Sequence, residues 1–306
     1  MRRLIKRVMW TMLGLAGLGI AWAAVTIGPM TYAAFVGFKN YETAAPKLPD
    51  SLGAKAILIF SKTNGFRDDD QINAANAALV AIARRQGWSS YTTENAAVFN
   101  PAQLARFQAV VWNSVSGDVL TNEQRSAFKS WLEHGGGFVG LHGAGGDPSY
   151  AWKWYVDDLI GAQFIGHTLS PHIQQARLVV EDQRHPATRG LDPVWTRSDE
   201  WYSFSASPRS KGYHILVTID EASYKPVEGL LPFLKPKDIS MGKDHPLVWW
   251  HCIGRGRALY SALGHTALSY SEPKHRQLIE GAISWAAGFE GIGCKAPIEQ
   301  AREAGQ

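Results

Sequence analysis

A chain of 306 residues that is 45% hydrophobic and 19% charged has the composition of a globular protein, long enough for one large domain or two small ones, and excludes a disordered or fibrous chain. Its formal charge of +4 raises the question of nucleic acid, but Arg2, Arg3, Lys6, Arg7, Lys39 and Lys47 against Glu42 and Asp50 account for all of it. The remaining chain is formally neutral, so no basic face is available and a nucleic-acid partner is excluded.

From Val8 to Phe38 no residue is charged, and about 20 apolar residues suffice to cross a bilayer as a helix. Four basic residues precede the run, so residues 1–38 are expected to form a single-pass membrane anchor with the N-terminus cytoplasmic and the domain extracytoplasmic. The competing reading is a signal peptide cleaved near Ala23, where Ala21-Trp22-Ala23 has the small-x-small form; signal h-regions of roughly 7 to 15 residues are shorter than this run. Residues 39–54, with Pro46, Pro49 and Gly53 among polar neighbours, read as a linker. The folded domain is expected over 55–290 and a loosely held tail over 291–306.

Ala56-Ile57-Leu58-Ile59-Phe60 is a continuous apolar run of strand length, the pattern of a strand covered on both faces. Asp69 or Asp70 is placed to cap a helix whose apolar face is Ala74, Ala75, Ala78, Leu79, Ile82 and Ala83, ended by Gly87. A short helix opens at Asn100-Pro101, and Ala109-Val110-Val111-Trp112 is the second apolar strand. Thr121-Asn122-Glu123-Gln124 has the form of a capping box for a helix through Phe128 and Leu132 that stops at Gly135. Phe138-Val139-Gly140-Leu141 is the third strand. The later strands are Ala176–Val180, Tyr213–Ile219, Leu247–Trp250 and Ala258–Leu263, and a helix over about Pro273–Ala287 closes the domain. Strands alternating with helices specify a parallel sheet whose ligands sit at the carboxyl ends of strands.

His142 stands at such an end. In Gly135-Gly136-Gly137-Phe138-Val139-Gly140-Leu141-His142-Gly143-Ala144 a strand enters a small-x-residue-x-small turn, the layout of a nucleophile elbow. Histidine replaces the nucleophile there, and an imidazole binds metal or moves protons but is a rare covalent nucleophile. The glycines match neither a Walker loop nor a dinucleotide fingerprint. His265, after the strand at Ala258–Leu263, is the second candidate, and two histidines at separate strand ends can converge on one cleft. His167 has both a structural and a functional reading, whereas His172 and His185 are expected to be structural. Asp199-Glu200-Trp201-Tyr202 sets carboxylates beside aromatic rings, the materials of a sugar site. Adjacent strand residues face opposite sides, so at most one of the two carboxylates should enter the site. Whether Cys252 and Cys294 pair is open, and neither has a metal-ligand spacing.

Ile59–Arg67, the Gly-Gly-Gly-Phe-Val-Gly-Leu-His-Gly-Ala block, His185-Pro186-Ala187-Thr188-Arg189-Gly190-Leu191, Asp199-Glu200-Trp201-Tyr202, Gly254–Tyr260 with Leu263-Gly264-His265, and Ile283–Gly288 together resemble the ThuA-like (trehalose utilisation) family over about residues 55–290. The resemblance implies an α/β fold, flavodoxin-like and similar to class I glutamine amidotransferases, with flanking helices and without the amidotransferase cysteine. It also implies sugar catabolism, of trehalose-type disaccharides or keto-sugar derivatives. Asp68 stands where the family commonly has histidine, which puts activity or metal identity in question. On this reading His142, His265 and Glu200 carry acid–base or metal-assisted chemistry on a sugar or glycoside. Arg67, Asn113, His167 and Tyr202 bind the substrate, and a divalent metal such as zinc is held by His142, His167 and His265. The expected partners are a small carbohydrate and, through the N-terminal helix, a membrane. The rival is a non-catalytic carbohydrate-binding or scaffolding domain, which Asp68 favours. An amidase using Cys252 is disfavoured, since no elbow precedes it.

Overall fold

The computed structural model describes residues 2–26, 28, 32, 37–147, 150–229 and 235–294; the end of the expected tail, 295–306, and parts of the expected anchor lie outside the described residues. Nine strands form one mixed sheet in the order β2-β1-β3-β4-β13-β12-β9-β6-β7. Here β1 is Ala56–Phe60, β2 Ser89–Thr93, β3 Ala109–Asn113, β4 Gly137–Leu141, β6 Gln174–Val180, β7 Val194–Asp199, β9 His214–Asp220, β12 Pro246–Ile253 and β13 Gly256–Ser261. The first five of that order are parallel and the rest antiparallel. Every residue of β1, β3 and β4 is buried, which is why their sequences are apolar without alternation. β6 instead alternates buried and exposed residues along its length, as a strand with one wet face does. A second, two-stranded sheet pairs β5, Phe164–His167, with β8, Tyr202–Phe204, and a third pairs β10, Val227–Glu228, with β11, Lys237–Asp238.

Helices cover the sheet. The helix Asp69–Arg85 is capped by Asp68, whose carboxylate accepts from Gln71 N, so the cap lies one residue before the two candidates seen in the sequence. The helix Asn122–Glu133 carries the complete capping box of Thr121 and Gln124, and its Phe128 stacks on Trp112 of β3. Pro273–Ala286 packs on β4 and β13. The strand β2 carries no apolar run, because it is a half-exposed sheet edge of sequence Ser-Ser-Tyr-Thr-Thr, and a search for apolar runs passes over it.

The N-terminal helix is Arg2–Thr26. Among the described residues no helix is long and apolar enough to cross a membrane, which overturns the expected single-pass anchor and the placement of the domain that rested on it. The helix opens with Arg2, Arg3, Lys6 and Arg7 in its first two turns. Residues 39–54 do not hang free. Lys62 pairs with Glu42, Gln124 Nε2 donates to Glu42 O at 2.8 Å, and Asn64 Nδ2 donates to Asn40 O at 3.0 Å, so packing starts well before Lys55. Cys252 is disulfide-bonded to Cys294, which leaves no thiol for amidase chemistry.

The three glycines that lead into β4, the last of them its first residue, each meet a different demand. Gly135 has φ +117°, a conformation that ends the preceding helix and that side-chain-bearing residues rarely adopt. A Cβ on Gly136 would lie 2.6 Å from the Trp131 ring, and one on Gly137 would overlap the backbone carbonyl of Ala286. Backbone cannot yield as a flexible side chain can. Gly137→Ala is therefore expected to cost about 1–3 kcal/mol of stability through overpacking, measured by chemical denaturation, and an unchanged midpoint would contradict the close helix-to-strand contact.

Candidate functional site

Register brings the site together. β4 and β13 are parallel neighbours with Leu141 opposite Ser261, so the segments after both strands leave the sheet side by side. His142 follows β4 directly, in a single 3-10 turn at φ +45°. The residue is held through its backbone and its ring: Tyr260 Oη donates to His142 O at 2.8 Å, and His142 Nδ1 lies 2.8 Å from Ala262 O. A carbonyl only accepts, so Nδ1 carries the proton and, in the neutral ring, Nε2 presents its lone pair.

What Nε2 faces is unusual. It lies 3.2 Å from His265 Nδ1 and 3.2 Å from Glu200 Oε2, and the last two atoms are 3.5 Å apart. Three atoms with lone pairs thus close a triangle, with Glu200 only 4% exposed. Such a cluster needs a cation, a proton or a metal ion, at its centre. Ligands at 2.0–2.1 Å from a tetrahedral zinc lie about 3.3–3.4 Å from one another, which is the spacing observed.

The second oxygen of Glu200 is also engaged. His167 Nδ1 lies 2.9 Å from Oε1, and His172 Nε2 contacts the same oxygen. These are hydrogen bonds to a carboxylate. Burial alone would raise the Glu200 carboxyl, but hydrogen bonds from His142, His167 and His172 outweigh it and hold the group well below its ordinary value. Burial likewise works against a charged His142, yet the hydrogen bond and charge of Glu200, with Asp199 behind it, leave its pKa raised. His167 is raised for the same reason, burial being overcome by Glu200. His265 is lowered, first by burial and then by neighbouring His142. Of the two imidazoles in the triangle, His142 therefore holds a second proton more strongly than a free ring does and His265 less strongly.

Asp199 and Glu200 both serve the site, contrary to the opposite-faces argument, because β7 ends at Asp199 and Glu200 lies in the corner before β8. Asp199 accepts from Gly264 N at 2.8 Å and from His265 N at 3.0 Å, and pairs with Arg197 at 3.1 Å. It fixes the loop that carries His265.

A cavity of about 580 Å³ opens on this cluster, lined among others by Phe66, Asp68, Gln71, Ser114, His142, Asp147, Phe164, His167, His172, Glu200, Tyr202, Glu228 and His265. Tyr202 packs on His142 with ring centroids 4.4 Å apart. Arg67 does not line it: the guanidinium is taken by Asp69 and Glu94, at 2.6 and 2.9 Å. Asn113 is fully buried and bonded to Ile72 O, Asn76 and Gln71, one layer behind the wall. Of the three tentative metal ligands, His142 and His265 share the triangle, while His167 joins His172 on the far oxygen of Glu200. His172 is the residue the sequence reading set aside as structural. Its only sequence signal was proximity to His167 on the short Gly166–His172 segment. His185 is structural, stacked on Trp250 and tilted against Trp285. Asp68 lines the cavity, and the triangle closes without a histidine at that position.

Over residues 56–286 the sequence matches the family model of ThuA, described as trehalose utilisation. A ThuA-like protein of Bacteroides uniformis superposes with a TM-score of 0.63 at 22% identity, over 79% of this chain and 95% of that one. Another, from Parabacteroides merdae, gives 0.57 at 16% identity, over 80% and 92%. At such identities the likeness is one of fold. No curated protein matches the chain.

Replacing Asp199 by Asn would leave the Arg197 guanidinium, 2% exposed, without its buried counter-charge. Asp199→Asn is expected to lose about 3–5 kcal/mol of stability, read by denaturant titration; a loss below 1 kcal/mol would mean that Glu272, 3.2 Å from Arg197 Nε, suffices to hold the charge.

Proposed function

The chain belongs to the ThuA, trehalose utilisation, family, and from that premise we propose that it acts on a sugar or glycoside through a divalent metal held by His142, His265 and Glu200. The observation that carries this reading is the triangle of lone-pair-bearing atoms, 3.2, 3.2 and 3.5 Å on its sides. Two imidazoles and one carboxylate are a familiar catalytic zinc set, with a further position left for water or substrate. The five parallel strands, in the order β2-β1-β3-β4-β13, are read as the flavodoxin-like half of the fold, which carries ligand sites at its strand ends.

Each residue has a part that follows from its contacts. Ala262 O fixes the His142 tautomer so that Nε2 is the ligand atom. His167 and His172 hold Glu200 Oε1 and turn Oε2 towards the two imidazoles. Asp199 holds the His265 loop. A divalent ion in this set supplies Lewis-acid polarisation of a substrate oxygen. Tyr202, Phe164 and Phe66 give the cavity aromatic surface on which the apolar face of a sugar ring packs. Loss of the amidotransferase cysteine removes thioester chemistry, and the buried imidazole at the elbow offers a ligand in its place.

Purified full-length protein is expected to carry about one equivalent of divalent metal, which His142→Ala and His265→Ala each reduce to background. Metal and proton compete for His142 Nε2, and Glu200 raises that imidazole above its ordinary 6.5. Metal affinity should accordingly fall as pH drops and strengthen as pH rises through the raised value. Background metal in wild type at pH 8 with zinc supplied would overturn the metal reading and leave His142 and His265 as acid and base. Turnover of glycosides and keto-glycosides by wild type, lost in His142→Ala, separates an enzyme from a binding module.

A further inference from the structure

Two buried oxygens in the cavity wall lack any protein partner among the described residues: Gln71 Oε1 and Ser114 Oγ. Gln71 is 1% exposed and Ser114 8%, and both line the cavity. An unsatisfied buried polar atom costs about 1–3 kcal/mol, so its retention calls for a purpose. The orientation of Gln71 is settled by its neighbours. Its Nε2 donates to Tyr270 Oη at 2.6 Å and lies 3.3 Å from Asn113 Oδ1, while Asn113 Nδ2 is spent on Ile72 O and Asn76. The amide oxygen is therefore left as the acceptor. Ser114 follows Asn113 directly and is held at φ +49° with its N–H on Leu141 O. Strained non-glycine backbone of this kind persists where the surroundings impose it.

Apart from the histidines, the ionisable side chains lining the cavity are carboxylates, of which Glu228 is paired with Lys237 at 3.4 Å. Asp68, Asp147 and Glu228 line the cavity in addition to Glu200, and among the described lining residues there is no Lys or Arg. Arg67, the nearest sequence candidate for an anion donor, is neutralised by Asp69 and Glu94.

We propose that Gln71 Oε1 and Ser114 Oγ form a hydroxyl-recognition pair that makes the site selective for neutral hydroxyl-bearing rings over their phosphorylated or carboxylated counterparts. The inference rests on the carbohydrate reading above and adds the residues that select within it. A sugar hydroxyl donates to the Gln71 oxygen, and Ser114 donates to or accepts from another; an ionised phosphate or carboxylate in place of the first hydroxyl has no proton for the Gln71 oxygen and stands in the cavity that Asp68 and Asp147 line. Asn113 acts through Gln71 as a positioning residue.

The test is calorimetric titration of the full chain with trehalose and methyl α-glucoside, and with trehalose 6-phosphate and methyl α-glucuronide. Wild type is expected to bind the neutral pair at least about 10-fold more tightly than the anionic pair. Ser114→Gly, which removes the hydroxyl and relieves the positive φ, and Gln71→Leu are each expected to weaken neutral binding about 10-fold, with metal content unchanged. Ser114→Gly keeps the test valid should Gln71→Leu fail to fold. Equal or tighter binding of the anionic pair, or wild-type affinity in Ser114→Gly, overturns the proposal and leaves the carbohydrate reading standing. Absence of binding for all four probes by folded, metal-bearing wild type removes the carbohydrate reading, and the pair with it.

Discussion

The structure turns on one electrostatic constraint: a carboxylate, Glu200, is buried among four histidines, each with a ring nitrogen within 3.5 Å of one of its two oxygens. An isolated buried carboxylate would take up a proton, and this one is instead held ionised by its neighbours. The division of labour between the oxygens matters most. Oε1 is saturated by His167 and His172, so Oε2 is left to the side on which His142 Nε2 and His265 Nδ1 stand. Because Ala262 O holds the proton of His142 on Nδ1, that side contains lone pairs and needs positive charge.

The sheet makes this convergence reproducible. His142 and His265 leave adjacent parallel strands, and Glu200 leaves the corner where β7 gives way to β8. Three chain segments far apart in sequence must meet to within a few tenths of an ångström for a ligand set to work. Rigidity comes from beneath: Gly137 lets the helix Pro273–Ala286 lie directly on β4, Tyr260 holds the His142 carbonyl, and the Arg197–Asp199 pair holds the backbone at Gly264 and His265. The polar interior behind the site is thus support for the first layer of side chains.

Much of this was legible in the sequence where a single property decides the outcome. Continuous apolar runs marked the strands β1, β3 and β4, the capping box marked the helix at Thr121, and position at strand ends marked His142 and His265. What escaped was decided by partners distant in sequence. The strand β2 is polar because it is an edge. Arg67 is spent on Glu94, twenty-seven residues away, and His172 enters the site only because Glu200 is brought to it. The apolar N-terminal run resembles a span by its lack of charge between Val8 and Phe38, yet the described helix opens with four basic residues, and no described helix is long and apolar enough to cross a membrane. Residues 39–54 looked like a linker from their prolines, and their hydrogen bonds to Lys62, Asn64 and Gln124 depend on the folded domain beneath them.

The elbow at His142 also explains why histidine there is a different device from the nucleophile it replaces. A nucleophile elbow works by exposing its side chain at the top of the sheet, whereas His142 is only 4% exposed, with Tyr202 against one ring face and Ala262 O on Nδ1. Its backbone keeps the positive φ of a sharp turn, but the imidazole is turned inward to Glu200 and His265. Covalent attack requires an exposed and mobile side chain; holding a cation requires a fixed and shielded one. The burial that disqualifies this residue as a nucleophile would suit it as a ligand, and on the proposed reading substrate recognition falls to the cavity wall, which the aromatic rings, Gln71 and Ser114 line.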